Sequence, residues 1–322
     1  MNETNLNKTT ESTEPVQIIG LDIGRGYVKA YSEFNNNKKE CIFQSIVSDG
    51  RDNLEYENYE EPIYIEFEGE KLFAGNIALK EGYTKNSNSR DSKVTPTVRK
   101  LMAVALSKVA VAKNVKIMMG VPYKIYNKET LDEVIKEYKD NVFKIEDKIN
   151  GGVKEIRIVD ISLFREADSA LFHALNGIPN KTKDVGLVSV GFRSIELAYY
   201  SKGFKFNDRY STTIDRGNRD VLDSVSDAIR RETGISKEVE EIDSSDDYAE
   251  LKARGYRNMS EQLSQEIEIA WKNLNEMDIY ISGGTSLYMT FDKRFKVLED
   301  SQMATAKGLY EVAEFRSRKG KF

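Results

Sequence analysis

The sequence has little cysteine and no long apolar run. Its one cysteine, Cys41, has no partner for a disulfide, which suits a reducing cytoplasm, and its apolar neighbours indicate a buried strand thiol. No stretch approaches the ~20 apolar residues of a membrane-spanning helix. Residues 1–15 have neither the cationic start nor the apolar stretch of a signal peptide. We therefore expect a cytoplasmic protein without a membrane partner, with a mobile tail over residues 1–15.

The sequence also lacks an excess of basic residues. It has 48 Lys and Arg against 53 Asp and Glu, which gives a formal charge of -5. Direct binding to nucleic acid draws on Lys and Arg that neutralise phosphates, so this balance predicts no direct contact with nucleic acid. At 322 residues, the length predicts two compact domains or one large α/β unit with insertions.

Apolar residues recur with the period of strands and then of helices, in an order that occurs twice. The first half predicts strands, hairpins and helices at residues 16–23, 27–34, 40–47, 63–74, 94–112, 115–121, 127–139, 142–161 and 166–176. The second half predicts them at residues 184–190, 194–200, 203–210, 218–232, 259–276, 278–282 and 302–317. The acidic run 238–247 is predicted to be a solvated loop. The repeat predicts an internal duplication with a ligand cleft between the halves.

The first candidate site is the turn between strands 16–23 and 27–34. Asp22 stands near the carboxyl end of the first strand, and the glycines that follow let backbone N–H groups approach an anion without obstruction by a Cβ. Lys29 returns on the second strand, where its ammonium can reach the same phosphate. The pattern predicts a phosphate-binding turn that consists of Asp22, Gly24, Arg25, Gly26, Tyr27 and Lys29.

Two further turns follow predicted strands in the second half. The turn after strand 184–190 corresponds to the first and is predicted to bind the same phosphates from the opposite wall, through Ser189, Gly191, Phe192 and Arg193. Strand 278–282 ends in two glycines before a helical segment, which presents bare backbone and a helix N-terminus to a ligand. The candidates for contacting adenosine there are Gly283, Gly284, Thr285 and Tyr288.

Together, the three turns resemble the nucleotide site of the actin-like superfamily. Residues 20–29 resemble its phosphate-1 loop, residues 279–288 its adenosine motif, and the segments that begin at Phe164 and near Ala304 its two connections between lobes. The resemblance covers residues 16–317. It implies an α/β actin-like fold with two lobes, built on duplicated ribonuclease-H-like units with a nucleotide cleft between them. Lobe I would cover residues 16–178 with a small inserted subdomain, lobe II residues 179–304, and residues 305–322 would form a helix that returns to lobe I.

Within the superfamily, the short insertion in the first half and the helix at 94–112 resemble the ParM-type (StbA-like) plasmid-segregation proteins. This resemblance implies binding of Mg²⁺ and ATP or GTP, polymerisation of the chain with itself, and filament disassembly triggered by hydrolysis. Asp22 would hold the metal and take part in catalysis, and Glu166 would position or deprotonate the attacking water. The implied second partner is a ParR-like adaptor bound to centromeric plasmid DNA.

The second phosphate-binding turn departs from the superfamily pattern. Ser189 stands where the superfamily has an Asp that holds metal-bound water, and Phe192 and Arg193 stand where it has small glycines. Asp22 and Glu166 could suffice, since Mg²⁺ often keeps most of its waters, and Arg193 could donate to a phosphate as a bidentate cation. Nucleotide hydrolysis is therefore expected, at a rate that depends on how the missing carboxylate is replaced.

Two other functions remain as alternatives. A small-molecule kinase of the same superfamily would need a catalytic base for a substrate hydroxyl, for which the sequence offers no convincing candidate. A filament scaffold that binds nucleotide but barely hydrolyses it is compatible with Ser189. A nicotinamide-binding dehydrogenase is disfavoured, because the turn at residues 24–26 leads into a strand and not into the helix that dinucleotide-binding loops open.

Overall fold

The computed structural model describes residues 14–55, 58–176 and 182–322. Its strands are β1 (Val16–Ile23), β2 (Tyr27–Phe34), β3 (Asn37–Gln44), β4 (Ile46–Asp49), β5 (Ile63–Phe67), β6 (Glu70–Ala74), β7 (Asn86–Ser87), β8 (Asn114–Val121), β9 (Val142–Asp147), β10 (Val153–Arg165), β11 (Val185–Val190), β12 (Ile195–Ser201), β13 (Lys205–Phe206), β14 (Thr212–Ile214), β15 (Asp278–Ser282) and β16 (Phe295–Val297). Its helices are α1 (Asn76–Glu81), α2 (Pro96–Val109), α3 (Lys128–Tyr138), α4 (Glu166–Ala174), α5 (Asn218–Thr233), α6 (Val239–Ser244), α7 (Ala249–Ala270) and α8 (Ala304–Arg318).

Two of the sequence-based predictions fall on residues that the structure does not describe. They are residues 1–13 of the expected tail and the expected lobe boundary between residues 178 and 179. Within the described ranges, no helix has the length and apolar character needed to cross a membrane.

The first sheet contains ten strands in the order β3-β2-β1-β8-β10-β9-β5-β6-β4-β7. At its centre, β1 pairs antiparallel with β2 and parallel with β8, and β10 pairs parallel with β8. Strands β1 and β8 are buried along almost their whole length, as is typical of strands covered by helices on both faces. This buried centre fixes the position of the end of β1, where Asp22 lies.

The second sheet repeats this arrangement. Its main path is β13-β12-β11-β15-β16, in which β13, β12 and β11 are antiparallel neighbours and β15 and β16 continue parallel to β11. In the first sheet, β3-β2-β1-β8-β10 has the same order and the same strand directions. The predicted internal duplication is therefore confirmed, and the hairpin of β11 and β12 corresponds to that of β1 and β2.

Helices α4 and α8 pack against each other and connect the two halves. Helix α4 contacts strands of both sheets, and α8 lies on β1 and β8 of the first sheet. The approach of these elements is close: a Cβ at Gly308 would lie 1.8 Å from the Ser169 carbonyl oxygen, and one at Gly20 would lie 2.2 Å from that of Ala306. Glycine is required at both positions because any side chain would push the backbones apart.

Each half has its own apolar core. In the first, α2 covers the sheet: the Thr95 side chain accepts a hydrogen bond from the Val98 N–H, and Pro96 opens the helix where a proline is tolerated. In the second, Trp271 is buried against Gly186, where a Cβ would lie 2.4 Å from the indole ring. The indole Nε1 donates to the Tyr210 carbonyl at 2.8 Å, so its polar atom is satisfied.

The structure corrects the predicted strand at 40–47, which is divided into β3 and β4 at Ser45. The Ser45 N–H donates to the Gly26 carbonyl at 2.8 Å, and its Oγ donates to the Gly24 carbonyl at 2.6 Å. The chain leaves the pairing of β3 at this residue because its hydrogen bonds hold the neighbouring turn.

The predicted solvated loop at 238–247 is also wrong, because it contains α6. Val239 and Ile242 lie one turn apart on this helix and are buried with Leu222 and Val225 of α5. Burial of this apolar pair outweighs the acidic composition. Nearby, α7 begins at Ala249 rather than at residue 259 and ends at Ala270, and the predicted strand 203–210 is reduced to the short β13 and a 3-10 helix.

Candidate functional site

A cleft lined by residues of both sheets brings together all the site residues predicted from the sequence. The empty space within it is about 1380 Å³, including the part that is open to solvent. The predicted residues that line it are Asp22, Gly24, Arg25, Gly26, Tyr27, Lys29, Glu166, Ser189, Gly191, Phe192, Arg193, Gly283, Gly284, Thr285 and Tyr288. The three glycine-containing turns therefore face one cavity.

The turns at residues 24–27 and 191–194 have the same hydrogen-bond pattern. The Gly24 N–H donates to the Tyr27 carbonyl at 3.1 Å, and the Gly191 N–H donates to the Ser194 carbonyl at 2.9 Å. Within the adjoining hairpins, Asp22 pairs with Lys29, and Ser189 pairs with Glu196. The repeat thus places Ser189 at the position of Asp22, and Glu196 at the position of Lys29.

Neighbouring elements hold both turns in place. At the first, Lys93 Nζ donates to the Ile23 carbonyl at 2.9 Å, and Asn88 Nδ2 donates to the Gly24 carbonyl at 3.1 Å. At the second, the Arg219 N–H at the start of α5 donates to the Phe192 carbonyl at 2.8 Å. The geometry of the turns is therefore set before a ligand arrives, which lowers the ordering cost of binding.

Asp22 is buried at the end of β1 beside Lys29. Its Oδ2 accepts a hydrogen bond from Lys29 Nζ at 3.1 Å, and the two side chains are 6% and 15% exposed. Its Oδ1 is buried and has no hydrogen-bond partner among the described residues. A buried oxygen without a donor is costly. This atom is therefore suited to accept a hydrogen bond from a bound group, such as the water of a metal ion.

Glu166 lies at the first residue of α4, against β8. A Cβ at Gly120 would lie 3.0 Å from Glu166 Cγ, so the glycine makes room for this side chain. Lys93 Nζ lies 3.5 Å from Glu166 Oε1. Burial raises the pKa of Glu166, the Lys93 ammonium opposes that rise, and the Asp22 carboxylate adds to it. Lys93, which sequence analysis missed, therefore favours the ionised form of Glu166.

Glu196 is another cleft residue that sequence analysis missed. It lies on β12 directly opposite Ser189 of β11, is 7% exposed and lines the same cleft. Burial raises its pKa to about 8, and the nearby carboxyl groups of Glu166, Asp168 and Asp22 contribute in the same direction. A sequence signal existed: aligning the two hairpins by their turns places Glu196 at the position that Lys29 has in the first half, and both residues line the cleft.

Glu196 should make the ligand-free protein less stable as pH rises. Its folded pKa of about 8 lies above its ordinary value of 4.5, so the folded state holds a proton that the unfolded state has lost across this window. The free energy of unfolding then falls with increasing pH. Glu196→Gln should flatten the decrease in Tm between pH 5 and pH 8, whereas Glu133→Gln on the exposed face of α3 should not. Equal slopes in the parent and Glu196→Gln would contradict the assignment.

The third turn presents Gly283 and Gly284 to the cleft. Gly283 has φ +93°, and a Cβ there would lie 2.3 Å from the Val190 carbonyl oxygen, so this position requires glycine. At Gly284, the nearest atom to an added Cβ is Gln302 Cγ at 3.5 Å, which is an ordinary contact. Thr285 Oγ1 donates to the Gly191 carbonyl at 3.1 Å and ties this turn to the second one. The ring of Tyr288 stacks on that of Tyr256 at 5.1 Å.

Helix α6, predicted to be a loop, contributes Asp243 to the cleft. Tyr27 Oη donates to Asp243 Oδ2 at 2.9 Å, and Asn218 Nδ2 donates to Asp243 Oδ1 at 3.1 Å. Burial and the Asp243 carboxylate raise the pKa of Tyr27. This hydrogen bond joins the first turn to the second half of the chain across the cleft.

The residues present fit a hydrated magnesium ion better than an ion held directly by protein atoms. Among residues 14–55, 58–176 and 182–322, no group of three or more Asp, Glu, His and Cys side chains is placed to hold a metal. Asp22 Oδ1 nevertheless offers a buried acceptor without a donor. Mg²⁺ dehydrates reluctantly and usually keeps several waters, so a site with few carboxylates, such as this one, suits it.

Comparison with known proteins finds similarity to actin-like proteins in sequence and in fold. Residues 20–167 match the family model described as actin-like proteins N-terminal domain. A 15-stranded ParM filament from Clostridium botulinum is 19% identical, with a TM-score of 0.77 over 93% of this chain and 99% of that chain. An archaeal actin homologue in complex with ADP is 18% identical, with a TM-score of 0.74 over 93% of this chain and 100% of that chain. The Alp12 filament structure is 18% identical, with a TM-score of 0.63 over 94% and 99%. No curated protein matches the sequence.

The two sheets, their repeated topology and these matches define a protein with the actin-like fold. The predicted fold class is therefore confirmed. The predicted resemblance to the ParM-type actin-like proteins is confirmed as well, by the domain at residues 20–167 and by the fold of the described chain.

Proposed function

We propose that the chain binds a nucleoside triphosphate, ATP or GTP, with Mg²⁺ in this cleft, hydrolyses it, and forms filaments in the triphosphate-bound state. The observation that supports this most is the convergence of three glycine-containing turns and the carboxyl groups of Asp22, Glu166 and Glu196 on one cavity. Turns of this kind present backbone N–H groups to phosphates. Lys29, beside Asp22, adds a cation at the same place.

Mg²⁺ would be held through its waters by Asp22 and Glu196. Directly opposed residues of antiparallel strands lie on one face with Cβ atoms ~5 Å apart, so Glu196 can supply from β12 the carboxylate that Ser189 lacks on β11. Glu196 would release its proton when the cation arrives, because a nearby positive charge favours the ionised form. The metal, when bound, would neutralise charge on the phosphates.

Glu166 would accept a proton from, or orient, the water that attacks the terminal phosphate. Its carboxylate faces the same cavity as Asp22, and Lys93 opposes the effect of burial that would keep it protonated. A positioned base of this kind contributes ~10²- to 10⁴-fold in rate. Hydrolysis thus depends on a residue that the binding of the nucleotide does not require.

Filament formation is proposed from the fold and from the assemblies of the similar proteins. Nucleotide would hold lobe I (residues 16–178) and lobe II (residues 179–304) closed, with residues 305–322 returning to lobe I. Loss of the terminal phosphate would reopen the lobes and release subunits, as in other switches biased by a ligand. The cellular role would be segregation of plasmid DNA through a ParR-like adaptor that binds the centromeric DNA, consistent with the small net charge of this chain.

Light scattering and phosphate release, followed in one sample after a limiting dose of MgATP, test this proposal. Scattering that rises and then decays as phosphate accumulates supports it. Scattering that rises and persists with little phosphate would instead indicate the weakly hydrolysing scaffold, the alternative that Ser189 favours. Phosphate transfer to a small molecule without any scattering would indicate a kinase.

Gly284→Val should weaken nucleotide binding by ~10-fold or more while leaving the fold intact, since a lost or blocked contact of 1–2 kcal/mol has that effect. The added side chain has room beside Gln302, but it would stand between the backbone and the base or ribose of a nucleotide bound as proposed. Binding can be measured with a fluorescent ATP analogue and the fold by circular dichroism.

The matched control is Leu287→Val, which alters an exposed residue of the same 3-10 helix. It should bind nucleotide like the parent. If folded Gly284→Val also binds nucleotide as tightly as the parent, the adenosine subsite is assigned to the wrong turn.

A further inference from the structure

Arg193 lies in the cleft, and its guanidinium has no partner among the residues that the structure describes. Arg193 lies at the tip of the second turn and lines the cavity. Its Nε is buried and has no hydrogen-bond partner, and its side chain makes no hydrogen bond or ion pair with any described residue. A buried guanidinium nitrogen without an acceptor is costly, so an arrangement of this kind is suited to an anion.

Two other arginines, Arg25 and Arg219, lie near Arg193. Arg25 lies at the tip of the first turn, on the other half of the chain, and lines the same cavity. The pKa of Arg193 is lowered, first by burial and then by the positive charges of Arg219 and Arg25, while Glu240 and Asp223 oppose that effect. Arg25 also contacts Asp91, and Arg219 Nε lies 3.4 Å from Asp223 Oδ2. Of Arg25, Arg193 and Arg219, Arg193 is the one that forms no ion pair with a carboxylate of the described residues.

The two turns meet at this point of the cleft. A Cβ at Gly26 would lie 2.6 Å from Phe192 Cγ, so the residue beside Arg193 touches the turn that carries Arg25. The backbone of the second turn is held by the start of α5, through the hydrogen bond from the Arg219 N–H to the Phe192 carbonyl. Positive charge from both halves is therefore held where the halves come together, and repulsion between them opposes closure.

We propose that Arg25 and Arg193 form a clamp, one arginine from each half, on the terminal phosphate of the bound nucleoside triphosphate. This inference rests on the proposed function and adds a reason for the chain to distinguish triphosphate from diphosphate. Guanidinium groups bind phosphate oxygens in pairs of charge-assisted hydrogen bonds. With the terminal phosphate between them, the two arginines hold the halves together. After its loss, the two cations face each other and favour an open cleft.

Arg193→Gln tests the clamp. Affinities for the β,γ-imido analogue of ATP and for ADP are measured with Mg²⁺ by titration calorimetry. We expect the parent to bind the triphosphate analogue more tightly than ADP. In the variant, the ratio of the two affinities should fall by ~10- to 100-fold, the range for losing charged hydrogen bonds. Its ADP affinity should change by less than about threefold. Arg193→Lys keeps the positive charge but lacks the paired N–H donors of the guanidinium, so its triphosphate preference should lie between those of the parent and Arg193→Gln. Arg230→Gln, which removes the same charge from the exposed face of α5, should match the parent.

A double variant, Arg25→Gln with Arg193→Gln, tests whether the two residues act together. Because both would bind one phosphate group, the loss of preference should be smaller than the product of the single losses. An unchanged triphosphate preference in folded Arg193→Gln, or an equal loss of ADP affinity, would overturn the clamp. If the parent itself binds neither nucleotide, the proposed function fails instead, so the two failures are distinguishable.

Discussion

Glu166→Ala is expected to release phosphate ~10²- to 10⁴-fold more slowly than the parent, the contribution typical of a positioned general base. Binding and closure do not need proton transfer, so the variant should still assemble with MgATP. Its filaments should then outlast those of the parent, because in the proposed mechanism loss of the terminal phosphate reopens the cleft. Light scattering and phosphate release, measured together after a limiting dose of ATP, give both quantities.

Two variants control this experiment. Glu133→Ala removes an exposed carboxylate from α3 and should behave like the parent. Lys93→Met removes the ammonium 3.5 Å from Glu166 Oε1 and should shift the pH dependence of hydrolysis upward, because the largest effect that opposes burial at that carboxyl is then lost. If Glu166→Ala fails to assemble, Glu166 is structural. If it hydrolyses and disassembles like the parent, the catalytic acid lies elsewhere.

Asp22→Asn is expected to weaken Mg²⁺-dependent nucleotide retention by ~10- to 100-fold, the range for losing a charged hydrogen bond. The amide keeps the shape of the side chain, but it removes the charge that pairs with Lys29 and that, as proposed, would hold metal-bound water. The measurement is the dissociation rate of a fluorescent ATP analogue with Mg²⁺ and with EDTA. The parent should lose the analogue faster in EDTA, and Asp22→Asn should lose it fast in both.

Asp227→Asn, which changes an exposed carboxylate of α5, is the matched control and should retain nucleotide as the parent does. Retention by Asp22→Asn that still depends on Mg²⁺ to the same extent would remove Asp22 from the metal site. Binding would then have to be explained by the turns alone.

The elements that sequence predicts well are those with strong local signals. The hairpin of β1 and β2 was predicted with its observed bounds, because alternating apolar residues flank the tight turn at Gly24 and Gly26. The three glycine-containing turns were predicted to share one ligand, and the structure brings all of them to one cleft. Local pattern sufficed here because each turn follows a buried strand whose end is fixed by its sheet.

The features that sequence missed depend on long-range contacts. Helix α6 forms in an acidic segment because Val239 and Ile242 are buried against α5, and its Asp243 then meets Tyr27 across the cleft. Strand β3 ends at Ser45 because the hydrogen bonds of that residue go to the glycine turn. Neither cause is visible in a window of ten residues.

Ser189 shows that a single position can mislead when the residue paired with it on the adjacent strand is not considered. From the sequence, its hydroxyl signals a lost carboxylate. In the structure, Glu196 stands directly opposite it on β12, buried in the same cleft. The register of an antiparallel pair is what relates the two residues. A motif that is read along one strand does not include the residues of the adjacent strand, so it misses Glu196.

Electron microscopy of the purified protein, mixed with MgATP, with MgADP or with no nucleotide, tests the central claim most directly. The account predicts filaments with MgATP that disappear as phosphate is released, and no lasting filaments under the other two conditions. The Glu166→Ala protein should show the same filaments persisting after the parent's have gone. Dispersed particles under all three conditions, in a protein that binds no nucleotide, would contradict the account.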